Sequence, residues 1–190
     1  MNDSKPSLIA ILLFAGLLAQ VKAQSDVPER CLVGDGPIDS SPTTAMAGKT
    51  GVMRCFRADT RMRSSEYQFV DGRMIRKSEW DELGQRLDTS FYNNGAARTR
   101  ARQVVFDGLP AWDREEYWDS GLIRLRGTYL QGEGAQGLVQ TYHEAGPLAT
   151  EVWYEKGRVL RRKRFGLDGR QLADEEFMAD GQIKAQMQRF

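Results

Sequence analysis

From about Tyr67 onward, short runs of strand-compatible residues alternate with glycine. Leu138-Val139-Gln140-Thr141-Tyr142, Val152-Trp153-Tyr154 and Arg124-Leu125-Arg126-Gly127-Thr128-Tyr129 mix β-branched, aromatic and polar residues. The glycines recur at Gly72, Gly84, Gly95, Gly108, Gly121, Gly132, Gly146, Gly157, Gly169 and Gly181, with gaps of 11 to 14 residues. An aromatic residue stands four positions before many of them, as in Trp80, Phe91, Tyr117, Tyr142, Trp153, Phe165 and Phe177. The residue just before the glycine is often turn-forming, as in Asp71, Asn94, Asp107, Ser120, Asp168 and Asp180. Asp-Gly and Asn-Gly suit tight hairpin turns, whose central residues need positive φ. A period near twelve residues holds one strand and one turn, and is too short for an amphipathic helix with its loop.

The pattern predicts an all-β fold: an elongated, curved, single-layer antiparallel meander of roughly ten strands from Tyr67 to the end. Treating the turns as two-residue loops places Phe165 opposite Leu172, Trp153 opposite Leu160 and Trp80 opposite Leu87. At Tyr142, Tyr117 and Phe177 the aliphatic partner (Leu148, Ile123, Ile183) comes one residue early, which calls for a longer loop or a bulge. Residues 132–137, Gly-Glu-Gly-Ala-Gln-Gly, read as an irregular loop. The aromatics should form a row along each edge. Many strands are polar on both faces, which suits a thin sheet better than a two-layer sandwich.

Residues 24–65 break the repeat and are rich in Gly, Pro, Ser and Thr. They read as a loop-rich cap with one strand, Val52-Met53-Arg54-Cys55-Phe56, covering an otherwise bare sheet end. The repeat domain then spans 66–190. Cys31 and Cys55 are the two cysteines of the chain, and in an exported protein they read as a disulfide. Such a bridge is worth roughly 3 kcal/mol in the chain-entropy model. A zinc site would need more ligands than two cysteines and the lone His143 supply.

Residues 1–23 resemble a secretory signal peptide. Lys5 precedes an apolar run from Leu8 to Leu18, and Val21-Lys22-Ala23 places cleavage after Ala23. The apolar run is short for a membrane span, which needs ~20 residues. The expected location is therefore the periplasm or the exterior, with no integral span after cleavage. Removing Lys5, Lys22 and Asp3 with the leader from 27 basic and 26 acidic residues leaves 25 of each. A neutral chain argues against nucleic-acid binding and against strong attraction to anionic lipid. An outer-membrane barrel is disfavoured because strands with Arg124-Leu125-Arg126 or Arg161-Arg162-Lys163-Arg164 cannot face lipid without large cost.

The units Phe91-Tyr92-Asn93-Asn94-Gly95, Tyr117-Trp118-Asp119-Ser120-Gly121 and Trp153-Tyr154-Glu155-Lys156-Gly157 resemble the MORN-variant repeats of the YwqK-family antitoxins. The resemblance covers about 115 residues, Phe69 to Ile183. It implies an immunity or antitoxin role, through surface complementarity to a toxin. Combined with export, it implies a toxin acting in the cell envelope, such as an effector delivered by type VI secretion. The alternative is a structural or scaffolding envelope protein that uses the sheet to bind protein or lipid headgroups.

Catalytic chemistry finds no support in the sequence, and no cofactor or metal site is expected. His143 and Glu144 are neighbours and on a strand would face opposite ways. Gly132-Glu133-Gly134-Ala135-Gln136-Gly137 matches a dinucleotide fingerprint by letter, without the helix and acidic residue that give it meaning. Glu115-Glu116 and Glu175-Glu176 read as solvated strand carboxylates. Candidate partner-binding residues are Tyr92, Arg98, Arg100, Arg102, Trp112, Trp118, Tyr142 and Tyr154, because aromatics and arginine dominate interface hot spots. Arg98, Arg100 and Arg102 should share a strand face. Arg162 and Arg164 should share one face and Arg161 and Lys163 the other, with neighbouring acidic runs able to compensate. The rings four before glycine should be the sheet's own packing; Tyr92, Trp118 and Tyr154 should point to the opposite, exposed face.

Overall fold

A computed structural model describes residues 28–188. The expected signal peptide, residues 1–23, lies outside them. The described chain forms one 14-stranded antiparallel sheet. Its strands are β1 (Glu29–Val33), β2 (Gly36–Ile38), β3 (Gly51–Arg57), β4 (Arg63–Val70), β5 (Arg73–Trp80), β6 (Arg86–Phe91), β7 (Ala97–Phe106), β8 (Leu109–Tyr117), β9 (Ile123–Leu130), β10 (Gly134–Tyr142), β11 (Leu148–Glu155), β12 (Arg158–Phe165), β13 (Gln171–Phe177) and β14 (Ile183–Gln188). From β3 to β14 every strand pairs with its sequence neighbours; only β1 departs, lying between β3 and β2. The meander is elongated: strands ~4.8 Å apart make it about 60 Å wide, against about 27 Å along an eight-residue strand.

The N-terminal segment is more regular than its composition suggested. β1, β2 and β3 extend the same sheet, and the one helix, α1 (Pro42–Ala45), lies between β2 and β3. Ser41 caps that helix by accepting the Thr44 N–H, and Pro42 occupies its first turn. The chain after α1 buries Met46 with Met53, Cys55 and Phe69, forming the compact apolar cluster of the molecule. Cys31 and Cys55 are directly paired on β1 and β3 and are joined by a disulfide, with Cα atoms 4.0 Å apart. The cap is thus sheet, helix and disulfide around a small core.

Nine of the ten turns between β4 and β14 fall into two kinds. Asp71-Gly72, Asp107-Gly108 and Lys156-Gly157 have positive φ at both residues, as type I′ turns require. The loops at 81–85, 92–96, 118–122, 143–147, 166–170 and 178–182 instead hold three residues. In each, the first residue's N–H donates to the fifth residue's carbonyl, and the glycine N–H donates back to the first carbonyl. This is a type I turn followed by a left-handed glycine. Asn94, Asp168 and Asp180 precede that glycine, and each side chain accepts the N–H of the residue after it. Three of the six turn-forming residues read from the sequence thus close a three-residue loop through a local side-chain bond, while Asp71 and Asp107 take positive φ in two-residue turns.

A second regularity follows the loops. Ile75, Arg98, Arg124, Ala149, Leu160, Leu172 and Lys184 each stand three residues after a turn glycine and are skipped in the pairing register. These bulges overturn the expected aromatic–leucine pairs. Phe165 faces Gln171, Trp153 faces Arg161 and Trp80 faces Arg86. Leu172 and Leu160 are the skipped residues; at Trp80 the three-residue loop alone moves the register. Tyr142–Leu148, Tyr117–Ile123 and Phe177–Ile183 do pair, through the longer loops that their spacing required. The 132–137 segment, expected to be an irregular loop, instead enters β10 from Gly134, with a register break between Gln136 and Gln140.

Loops on one edge also bond to one another. Tyr92 Oη donates to the Tyr117 carbonyl at 2.7 Å, and His143 Nε2 donates to the Phe165 carbonyl at 3.1 Å. On the opposite edge the Gly157 N–H donates to the Ala135 carbonyl, and the Lys156 N–H to Gln136 Oε1, both at 2.8 Å. Near the cap, the Gly72 N–H donates to the Lys49 carbonyl at 2.8 Å. Several hairpins are thereby clipped to the next hairpin on their side.

Candidate functional site

Alternation along the strands, carried across by the pairing register, divides the side chains between two faces. The front face is the one that carries the disulfide and Met53. Along one of its rows stand Thr89, Arg100, Glu115, Arg126, Gln140, Glu151, Lys163 and Asp174, each directly opposite the next. The back face carries Arg76, Ser78, Asp88, Trp112, Arg114, Tyr129, Val139, Val152, Arg162, Arg164 and Glu175 at corresponding positions.

Neither face of this part of the sheet has a second layer above it. Its apolar burial is thin: Ala111 and Leu130 in front, Val139, Val152 and Ala173 behind. Cations laid over rings do the rest. In front, Lys77 stacks on Tyr67, Arg100 on Tyr117, Arg126 on Tyr142, and Arg161 and Lys163 on Trp153. Behind, Arg86 stacks on Trp80, Arg114 on Tyr129 and Arg162 on Phe177. The arginine stems shield the rings while their heads stay in water. Five of the seven rings that stand four before glycine, Trp80, Tyr117, Tyr142, Trp153 and Phe177, are covered in this way.

The two faces differ in how their cations are neutralised. Behind, Arg76 and Arg86 bind Asp88 at 2.7 and 2.8 Å, Arg114 binds Glu116 at 2.7 Å, and Arg162 and Arg164 bind the buried Glu175 at 2.7 and 3.2 Å. Burial pushes the Asp88 carboxyl up, but hydrogen bonds from Ser78, Arg76 and Arg86 outweigh it and hold the group below its usual range. In front, Arg161 is paired with Asp174 at 2.6 Å, and this bond raises the guanidinium above its ordinary value. Arg100 and Arg102 face Glu115 and Asp113 directly, yet neither forms an ion pair among the described residues. Glu115 accepts the Tyr117 hydroxyl, and Asp113 accepts the Thr128 hydroxyl at 2.6 Å. Burial and that Glu115 bond together push the Tyr117 phenol up. A shallow concavity of about 510 Å³ lies here, with Leu87, Arg100, Arg102, Arg126, Thr128 and Leu138 among its lining. A smaller one of about 400 Å³ lies behind, between Trp112 and Tyr129 over Ser90, Thr99 and Ala101.

No family model matches the chain, and no curated protein matches it.

The eight candidate binding residues do not form one patch. Arg100, Arg102 and Tyr142 lie in front, with Arg100 over Tyr117 and Tyr142 under Arg126. Trp112 and Tyr154 lie behind, opposite Tyr129 and Gly137. Tyr92 and Trp118 do not point from a strand face at all. Each opens a three-residue loop on one edge, with Arg98 and Arg124 stacked over its ring. Trp118 Nε1 is buried without a protein partner, at the loop position where Tyr92 and His143 bond the next hairpin. Arg98 is the skipped residue of its bulge, so it leaves the Arg100 and Arg102 row. Arg162 and Arg164 do share a face, opposite to Arg161 and Lys163, and the acidic strand β13 meets both sets.

The residues once weighed for catalysis have structural partners. His143 holds the Phe165 carbonyl, Glu116 pairs with Arg114, and Glu175 is buried under two arginines. Glu29 lies near Cys31 and Cys55, but both sulfurs belong to the disulfide and are closed to a metal. Among the described residues no helix is long and apolar enough to cross a membrane. Sequence reasoning missed the arginine-paired carboxylate Asp88, whose signal was an acidic residue one strand away at the register that only the loops determine. Glu175, expected to be solvated, is instead buried beneath Arg162 and Arg164, and so compensates the basic strand β12 as its neighbouring acidic run allowed.

Proposed function

We propose that this chain is an exported partner-binding protein of the immunity kind, which neutralises a toxin or secreted effector acting in the cell envelope. The observation that carries the reading is the broad two-sided sheet, with arginine-covered rings and a guanidinium-lined concavity rather than an enclosed cleft. Rigid aromatics and arginines on a preformed surface suit recognition at low ordering cost. The resemblance to YwqK-type antitoxin repeats and the secretory leader support the role and the location. A scaffolding role for the same surface is the second reading; it draws on the continuous open sheet edge at β14.

Deletion of the gene tests the proposal. Growth arrest is expected, rescued by the exported chain and not by a version lacking residues 1–23. Normal growth of the deletion strain, with and without neighbouring genes, would overturn the immunity reading in favour of the scaffold.

A further inference from the structure

The structure separates guanidinium groups that are spent from those that are not. On the back face, Arg76, Arg86, Arg114, Arg162 and Arg164 each hold a carboxylate within 3.2 Å. On the front of β7, Arg100 and Arg102 hold none, although Glu115 and Asp113 stand directly opposite them. Tyr117 and Thr128 occupy those two carboxylates through their hydroxyls. Arg126, two strands away in the Arg100 row, spends its Nε on Gln140 at 2.7 Å and has no carboxylate either. Three cationic heads therefore border one concavity whose lining also includes Asp113, Glu115, Leu87 and Leu138.

We propose that this front concavity over β7–β10 takes an extended, acidic segment of a protein partner. Spaced carboxylates of the segment would bind Arg100, Arg102 and Arg126, and intervening apolar side chains would meet Leu87 and Leu138. This deepens the partner-binding reading and rests on it. Charge complementarity selects the occupant. Arginine matches carboxylate bidentately, and a guanidinium that holds no internal carboxylate keeps donors for one. Asp113 and Glu115 of β8 also line the concavity, each already bonded to a hydroxyl, and its three front-facing arginines outnumber them. Glu151, Asp174 and Glu176 lie farther along the same face. A flat anionic bilayer would meet all of these carboxylates, whereas a narrow segment lying along the arginines of β7 would meet few of them.

The test uses the purified exported protein and a fluorescent decapeptide of alternating glutamate and leucine. Its lysine–leucine counterpart and phosphatidylglycerol vesicles are the comparisons. Anisotropy should show salt-sensitive binding of the acidic peptide alone. Arg102→Gln, which disturbs no ring stack, and Arg100→Gln should each weaken it about tenfold, a loss of one charge-assisted pair. Arg76→Gln on the back face should leave it unchanged. Circular dichroism of each variant should match the parent. No binding of the acidic peptide, equal binding by Arg102→Gln, or binding to the vesicles alone would overturn the proposal. If the double variant Arg100→Gln/Arg102→Gln still rescues the deletion strain, the front concavity falls while partner binding elsewhere on the sheet stands.

Discussion

At the scale of single residues, glycines of the same φ do different jobs. Gly95 has φ +84 and open space where a Cβ would sit; Gly157 has φ +77, but its Cβ would stand 2.6 Å from the Glu133 carbonyl oxygen. Gly95→Ala should cost about 1 kcal/mol, from left-handed backbone alone. Gly157→Ala should cost about 3 kcal/mol, because the neighbouring loop must also be displaced. Thermal unfolding of the two variants checks the contrast, and equal losses would show that the loop contact is slack. Asp88 supplies a second test. Its carboxyl lies below the ordinary value of 3.8 in the folded protein, so its stabilisation is present at neutral pH. It is lost as the pH falls below 3.8 through the folded value. Asp88→Asn should therefore lower stability at pH 7 and flatten its decline toward pH 3, measured by urea unfolding at both. A parallel decline in parent and variant would remove Asp88 from the acid response.

At the scale of the element, the unit is a strand plus a turn with a fixed skip in register. The bulge three residues after glycine turns Ile75, Leu160 and Leu172 outward, with 40%, 38% and 49% of their surface exposed. Leu160 and Leu172 look like cross-strand partners in the sequence and are not. The loop-to-loop bonds are the other device of the element. Tyr92→Phe removes the bond to the Tyr117 carbonyl and should cost about 1 kcal/mol. Amide exchange should then quicken around the 118–122 loop, while β12 and β13 keep their protection. Uniform quickening along the chain would show that hairpins are not clipped pairwise. Spacing made the loops legible, and at Tyr117, Tyr142 and Phe177 their extra length as well. Elsewhere both kinds use a left-handed glycine, and only hydrogen-bond closure distinguishes two residues from three.

At the scale of the whole molecule, stability is a chain of nearest-neighbour terms with one compact end. Each strand from β4 to β13 forms its ladder only with the strands beside it. The apolar cluster of Met46, Met53, Cys55 and Phe69 sits at the cap beneath the disulfide. Reducing Cys31–Cys55 should cost roughly 3 kcal/mol locally. Exchange protection should collapse in β1–β4 and persist in β9–β13, as in other quasi-one-dimensional folds. Global loss of protection would mean that the cap nucleates the entire sheet. The outer edges also differ. β2 is short and carries Pro37, while β14 is longer and has no proline. Proline and shortness protect one edge from pairing; the other lacks both devices.

The periodic glycines, the aromatics before them and the even cysteine count were enough to establish a meander and a disulfide. Those features act locally: a left-handed turn needs glycine, and two thiols need only reach one another. What tertiary structure decided was register. A one-residue skip exchanges the faces of every following side chain. It determined that Trp153 meets Arg161 instead of Leu160, that Tyr92 and Trp118 open edge loops, and that Arg162 and Arg164 converge on Glu175. It also turned Glu115 and Asp113 to hydroxyls and left Arg100 and Arg102 without a carboxylate. Partner choice among charged side chains depends on distances across strands, which spacing along the chain does not contain.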